Sequence, residues 1–198
     1  GATINVASGE VTRMLLDETQ NKLDITDQNI VVTGSISVDD ANLLSATTTG
    51  TVTASITTTE SITELKTLTE TSNAYTIVIS SEDAAVSASD LNAINELTTV
   101  AVDLTNVTSI TSSSLTDLGI LGAAIGNDEF SNGTGITTIA LSDTTVDATT
   151  LAATIDSIDT INGDTTTDMT LASGATINVA SGEVTRMLLD ETQNKLDI

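Results

Sequence analysis

The residues able to do chemistry in this chain are almost all oxygen donors. Asp and Glu number 28 against five Lys and Arg, and His and Cys are absent. Without imidazole or thiol, acid–base work would fall to carboxylates, and nucleophilic attack to a Ser or Thr with no base beside it. No Gly-rich loop of phosphate-binding form is present. The adjacent acids Glu82-Asp83 and Asp128-Glu129 could in principle serve a glycosidase, but in so acidic a chain neighbouring acids are the ordinary make-up of a solvated surface. The sequence therefore predicts no enzyme. Hard-cation binding is better founded. Asp159, Asn162, Asp164 and Asp168 crowd carboxylate and amide oxygens around Gly163, and Asn127, Asp128 and Glu129 form a second cluster, a donor set that suits calcium. Neither cluster follows the EF-hand order or the glycine-rich nonapeptide, and hydrated acidic loops are the competing reading.

Such residues need elements to position them, and the chain announces these by repetition. Gly1 to Ile25, GATINVASGEVTRMLLDETQNKLDI, returns letter for letter as Gly174 to Ile198, an offset of 173 residues. Residues 1–173 thus read as one complete long repeat and 174–198 as the start of the next, the whole 1–198 forming a single elongated segment. A shorter period lies beneath the long one. Alternating β-branched runs mark strands at Ile30-Val31-Val32, Val52 to Ile56, Tyr75 to Ile79, Val100 to Leu104, Ile136 to Leu141 and Asp168 to Leu171. After each comes an apolar residue, then Ser, Thr or Asp, then a Leu, the chemistry of a helix start. Ser87, Thr111, Asp147 and Asp39 are the expected caps. Stripes such as Leu91-Ile94-Leu97, Leu115-Leu118-Leu121 and Leu151-Ile155-Ile158 give each helix one buried face.

About six such units fill the 173 residues. The sequence therefore predicts an α/β solenoid in which every coil adds one strand to a single parallel sheet and one short helix outside it, with an all-β solenoid as the alternative. Ile77, Ile79, Val102, Leu104, Ile139 and Leu141 are expected inside, against Leu91, Leu115 and Leu151. The longer stretches Gly126 to Gly135 and Asp159 to Asp164 are expected to project from one edge. Because the chain starts and stops at one phase of the coil, the two copies should share a conformation, with Ile4, Val6, Val11, Leu15 and Leu16 bare and their twins covered.

Composition narrows the function classes. A net charge of −23 repels nucleic acid and anionic lipid, and no run of about eighteen apolar residues offers a membrane-spanning helix. Aromatics amount to one Phe and one Tyr, whereas Thr supplies about a fifth of the chain. The runs Thr47 to Thr49, Thr57 to Thr59 and Thr165 to Thr167 could form ladders along a stack, or could simply be β-branched turn-formers. The units Tyr75 to Thr99 and Ile136 to Ile161, each a short strand followed by Ser/Thr/Asp-x-x-x-Leu-x-x-Ile, resemble those of very large tandem-repeat surface proteins of bacteria, marine cyanobacteria among them. The resemblance implies an extracellular or cell-surface location and a structural role in a filament, surface layer or giant adhesin, an acidic spacer stiffened by external calcium. Its expected partners are further copies of itself end to end, and glycans or other cell-surface components. The alternative is a ligand- or glycan-binding solenoid module of leucine-rich-repeat type.

Overall fold

The computed structural model describes residues 1–162, 168–180, 182, 184 and 196–197. They fall into two compact units. The first comprises residues 1–82 and 93–102, the second residues 83–92 and 103–198.

In the first unit strand and helix alternate. β1 (Thr3–Ala7), α1 (Val11–Thr19), β2 (Asn29–Ile36), α2 (Val38–Thr47), β3 (Val52–Ile56), α3 (Ile62–Leu65) and β4 (Ala74–Thr76) follow one another. The sheet order is β1-β2-β3-β4 and every pairing is parallel. Parallel neighbours cannot be joined by a tight turn; a helix makes each crossover. Alternation sets the faces: Ile30, Val32 and Ile36 of β2 and Val52, Ala54 and Ile56 of β3 are buried. Ala41 and Leu44 of α2, Leu65 of α3 and Tyr75 of β4 are buried with them.

The chain continues through β5 (Ala85–Ser87), α4 (Ala88–Asn95), β6 (Val102–Asp103), β7 (Ser109–Ser113), α5 (Leu115–Gly126), β8 (Phe130–Ser131), β9 (Thr138–Leu141), β10 (Thr145–Asp147), α6 (Ala148–Asn162), β11 (Asp168–Thr170), β12 (Thr176–Asn178) and β13 (Leu196–Asp197). In the second unit a five-stranded parallel sheet has the order β13-β11-β9-β7-β5, and β10 pairs with β12 in a parallel ladder of its own. The α/β class with parallel sheets and short helices is thus present. The single sheet with one strand per coil is not. Between α5 and α6 lie three strands, because Asn132, in the left-handed region at φ 58°, and the bend at Thr144 break the chain into straight runs of two to four residues.

Two strands carry bulges at the same point, just before a helix. The register of β2 slips between Val31 and Ser35, where Gly34 sits at φ 96°; that of β7 slips between Ile110 and Ser113, where Ser112 sits at φ 32°. A bulge bends the strand, and here it turns the chain into α2 and α5. At Gly34 a Cβ would also meet Ser8 Oγ at 2.7 Å, so a larger residue would have to displace that hydroxyl as well as hold a positive φ.

The duplicated ends agree in part. Thr3-Ile4-Asn5 and Thr176-Ile177-Asn178 are both parallel strands with the same exposed, half-buried, exposed pattern. Val11 and Val184 are both helical. Leu196-Asp197 pairs with β11, whereas its twin Leu23-Asp24 lies outside any strand. The expected bare end is reversed for one pair: Val11 is fully buried and its twin Val184 is 42% exposed. Val11 begins α1, which packs against α2.

Candidate functional site

The two acidic clusters were the strongest candidates for chemistry. Asn127, Asp128 and Glu129 turn out to form a helix end. Asn127 is the C-cap of α5 and Asp128 is left-handed at φ 61°. The Asp128 N–H donates to the Ile125 carbonyl at 3.1 Å and the Glu129 N–H to the Ala124 carbonyl at 3.0 Å. That pair of reversed bonds is the Schellman closure, with Asp in the place usually held by Gly. The chain beyond does not project. Phe130 is 5% exposed, Gly133 is buried, and the Ser131 carbonyl accepts from the Leu104 N–H at 2.9 Å. The insertion is built into the second unit because its one aromatic residue is an anchor.

Of the other cluster, Asp159 and Asn162 lie in the last turn of α6 rather than in a loop, Asp168 opens β11, and Asp164 lies outside the described residues. Among the described residues no three His, Cys, Asp or Glu side chains gather as a cation site.

What the polar residues do instead is close helix starts and stitch successive turns of chain together. Ser37 accepts from the Asp40 N–H at 3.1 Å, Ser87 from the Asp90 N–H at 3.1 Å, Ser114 from the Asp117 N–H at 3.0 Å, and Asp147 from the Thr150 N–H at 3.0 Å. Ser61 and Glu64 complete a reciprocal capping box. Glu64 is held below the usual carboxylate range by the Ser61 N–H and then by the Ser61 hydroxyl. The expected caps Ser87 and Asp147 are found. Thr111 and Asp39 are not caps; Ser114 and Ser37 serve in their place, which shifts the buried stripe of α2 to Ala41 and Leu44 and leaves Leu43 55% exposed. The arrangement the sequence reading missed is Ser-x-x-Asp/Glu, legible as Ser37–Asp40, Ser61–Glu64, Ser87–Asp90 and Ser114–Asp117.

A second tier of bonds runs between turns of the chain. The first amide of α2, Val38 N–H, donates to Glu60 Oε1 at 3.1 Å; that of α4, Ala88 N–H, to Ser113 Oγ at 2.8 Å; that of α5, Leu115 N–H, to Asp143 Oδ2 at 2.6 Å. Each acceptor comes from the chain segment 22 to 28 residues on. Helix-start amides have no partner within their own helix, and here the following segment supplies one. Asn73 is buried and does the same for a strand, its Oδ1 accepting from the Val52 N–H at 2.8 Å.

Threonine takes the returning edge. The N–H groups of Thr49, Thr99, Thr108 and Thr137 donate to the carbonyls of Thr26, Asn73, Ala84 and Thr108 at 2.8 to 3.0 Å, and their hydroxyls donate to the same carbonyls at 3.1 to 3.4 Å. Thr48, 7% exposed, gives its hydroxyl to the Gln28 carbonyl at 2.6 Å and accepts from the Gly50 N–H at 2.9 Å. At Gly50 the backbone passes so close to the Gln28 carbonyl that a Cβ would collide with it. Threonine is abundant because one side chain answers a backbone carbonyl that its own N–H already reaches.

Two Asp-x-Thr turns recur. Asp24 accepts from the Thr26 hydroxyl at 2.7 Å and N–H at 3.1 Å; Asp103 accepts from the Thr105 hydroxyl at 2.6 Å and N–H at 2.8 Å. Asp24 is held below the ordinary value chiefly by the Thr26 hydroxyl. At Asp103 burial pushes upward, but the Thr105 hydroxyl, the Thr105 N–H and the Asn132 side chain together prevail and the carboxyl lies below its ordinary value. One shallow pocket of about 360 Å³ opens in the first unit, lined by Ser45, Thr48, Thr49, Gly50, Glu70 and Asn73 among others. Beneath it burial pushes the Tyr75 hydroxyl up to about 12, against a smaller pull from Ser45 and Asn73, and that hydroxyl donates to the Ala41 carbonyl at 3.3 Å.

Among the described residues no helix is long and apolar enough to cross a membrane. Comparison of the chain with protein-family models, with curated proteins and with solved structures yields no match.

Proposed function

We propose that the chain is one period, and the opening of the next, of an α/β solenoid that serves as a structural segment of a bacterial extracellular filament, surface layer or giant adhesin. The observation that carries this reading is the 25-residue identity at an offset of 173, together with the parallel pairing of both copies of Thr-Ile-Asn. An exact duplicate that sits in equivalent strands makes the chain extensible without a new interface. Supporting it are the strictly consecutive order of parallel strands in the first unit and the bonds that tie the starts of α2, α4 and α5 to a later segment. The caps at Ser37, Ser61, Ser87, Ser114 and Asp147 and the paired Thr bonds hold the backbone, which favours an acidic spacer over a catalyst.

Calcium enters this reading through the −23 charge rather than through a formed site. Divalent ions would condense near the acidic surface and lower its self-repulsion. The partners are further copies of the repeat, with glycans or other surface components as secondary contacts. A ligand-binding module is the second reading, favoured by the pocket at Ser45, Glu70 and Asn73, whose hydroxyl, carboxylate and amide lining suits a sugar. Antibodies raised against the chain should label intact cells of the source bacterium and decorate fibres or a surface coat in electron microscopy. Labelling only after permeabilisation overturns the structural surface role. A screen of glycans that returns a saturable binder lost in Glu70→Gln would transfer the weight to the second reading.

A further inference from the structure

We propose that the outer face of the sheet in the first unit is the surface through which copies of this chain pair side by side. The inference rests on the structural-segment reading above and names how such segments meet laterally. Alternation sends one set of strand residues outward: Asn5, Val31, Thr53 and Ala74 share one register across β1 to β4, and Ser35, Ser55 and Thr76 share a second. Asn5, Ser35, Thr53 and Thr76 are exposed and Val31, Ser55 and Ala74 half-buried, whereas the inward Ile30, Val52, Ala54 and Tyr75 belong to the core. Because β2 and β3 are paired along both edges, it is their face that lies open. A parallel sheet is ordinarily covered on both faces.

Charge selects the occupant. The chain carries −23, yet no position of β1 to β4 holds an acidic or basic residue; those of the first unit stand in its helices and connections. The sheet of the second unit differs, since β11 puts Asp168 in register with Thr138. A basic partner would seek the acids, and an anionic polymer would be repelled by them. A sugar ring would find no aromatic side chain to stack on, because Tyr75 and Phe130 are both buried. An identical chain is as acidic as this one, so it can approach closely only where neither copy is charged. Short hydroxyl, amide and methyl side chains let two such faces interdigitate, as like faces do in a steric zipper, about a two-fold axis.

Area sets when pairing occurs. The four strands, about 4.8 Å apart and about five residues long, present roughly 300 Å². A stable interface takes about 800 Å² from each partner, so a single chain falls short, whereas three repeats in one stack offer about 900 Å². Pairing is then a property of the repeated protein, in which each further repeat adds its contact to those already made.

Sedimentation over one concentration series compares the single chain with a protein of three repeats. The expected result is a single chain that stays monomeric where the three-repeat protein dimerises. Thr53→Asp in every repeat sets like charges against one another on the face and should return the three-repeat protein to monomer. Thr116→Asp, at an exposed position of α5, adds the same charge elsewhere and should leave the dimer. Where Thr53→Asp loses the circular dichroism of the parent, Thr76→Asp takes its place. The chain has no Cys, so a lone Thr53→Cys in the middle repeat should link between copies through a short bis-maleimide several-fold more than Thr116→Cys does. A three-repeat protein that stays monomeric, a dimer that survives charge on the face, or one lost equally in Thr116→Asp overturns the contact. The spacer reading survives each of these as long as the particle lengthens by a constant step per repeat in scattering. A length that fails to grow in that way overturns the spacer reading and the contact with it.

Discussion

At Asp128 the chain holds an acidic residue in the left-handed region, at the negative end of α5, with no glycine to relieve it. Both features cost stability: the backbone conformation disfavours a Cβ, and the carboxylate faces the C-terminal end of the helix dipole. Asp128→Gly should therefore stabilise the fold by about 1 kcal/mol, read as a rise in the melting temperature. Destabilisation seen only with calcium present, and abolished by a chelator, would instead reveal the carboxylate as a ligand. Asp103 makes the opposite case, because its hydrogen bonds hold the folded carboxyl below its unfolded value. Such a group contributes stability above the unfolded value and loses it as pH falls through the folded one. Thr105→Val removes the hydroxyl donor, so its destabilisation relative to the parent should be full near about pH 6 and should shrink below about pH 4. A difference that stays constant across urea titrations at falling pH would show that the hydroxyl acts through packing alone.

Helix starts are where the elements of this fold are decided. Ser113 and Ser114 stand side by side with different duties: Ser114 caps its own helix α5, while buried Ser113 receives the first amide of α4 and donates to the Thr111 carbonyl at 2.7 Å. Removing the local cap in Ser114→Ala should cost about 1 kcal/mol. Ser113→Ala strands a buried N–H and a carbonyl, so it should cost more, about 2 kcal/mol. Equal losses in chemical denaturation would mean that the bond between segments adds nothing beyond an ordinary cap. The same pair explains what the sequence made legible. Strand β3 was read to its ends, Leu91, Ile94, Leu118, Leu121 and Leu151 are buried in their helices while Leu97 falls outside α4 and Leu115 is half-buried, and Ile77, Ile79, Val102, Leu104, Ile139 and Leu141 are buried as their alternation required. The caps at Thr111 and Asp39 were misplaced because a run such as Thr111-Ser112-Ser113-Ser114 offers four chemically equivalent caps in a row. Local propensity cannot choose among them. The choice is made by pairing: β7 bulges at Ser112 and stays in the sheet to Ser113, and only then can a helix begin. At Asn127 to Glu129 composition names the side-chain oxygens but not the backbone closure of α5 that these residues also make.

For the molecule as a whole, charge and repetition make separate demands. Four of the five basic residues lie in the duplicated ends, and Arg13 and Lys22 make ion pairs with Glu10 and Asp17 at 3.8 to 3.9 Å. With 28 acids against five bases the net charge is −23, so raising monovalent salt from low ionic strength should raise the melting temperature by screening. Calcium at matched ionic strength should add to that only where ions are held, and no additional rise would leave the charge with a purely repulsive role. Repetition fixes length. Helices begin at Val11, Val38, Ile62, Ala88, Leu115 and Ala148, and Val184, the twin of Val11, is helical again, so one long repeat contains six such starts. If each start marks one coil and successive coils are spaced as neighbouring strands are, about 4.8 Å apart, a 173-residue repeat should advance about 29 Å. Proteins carrying two, three and four repeats should then lengthen by that increment in small-angle scattering, and an assembled fibre should show a layer line at its reciprocal. An increment well below it would mean that the helix starts do not each mark one coil.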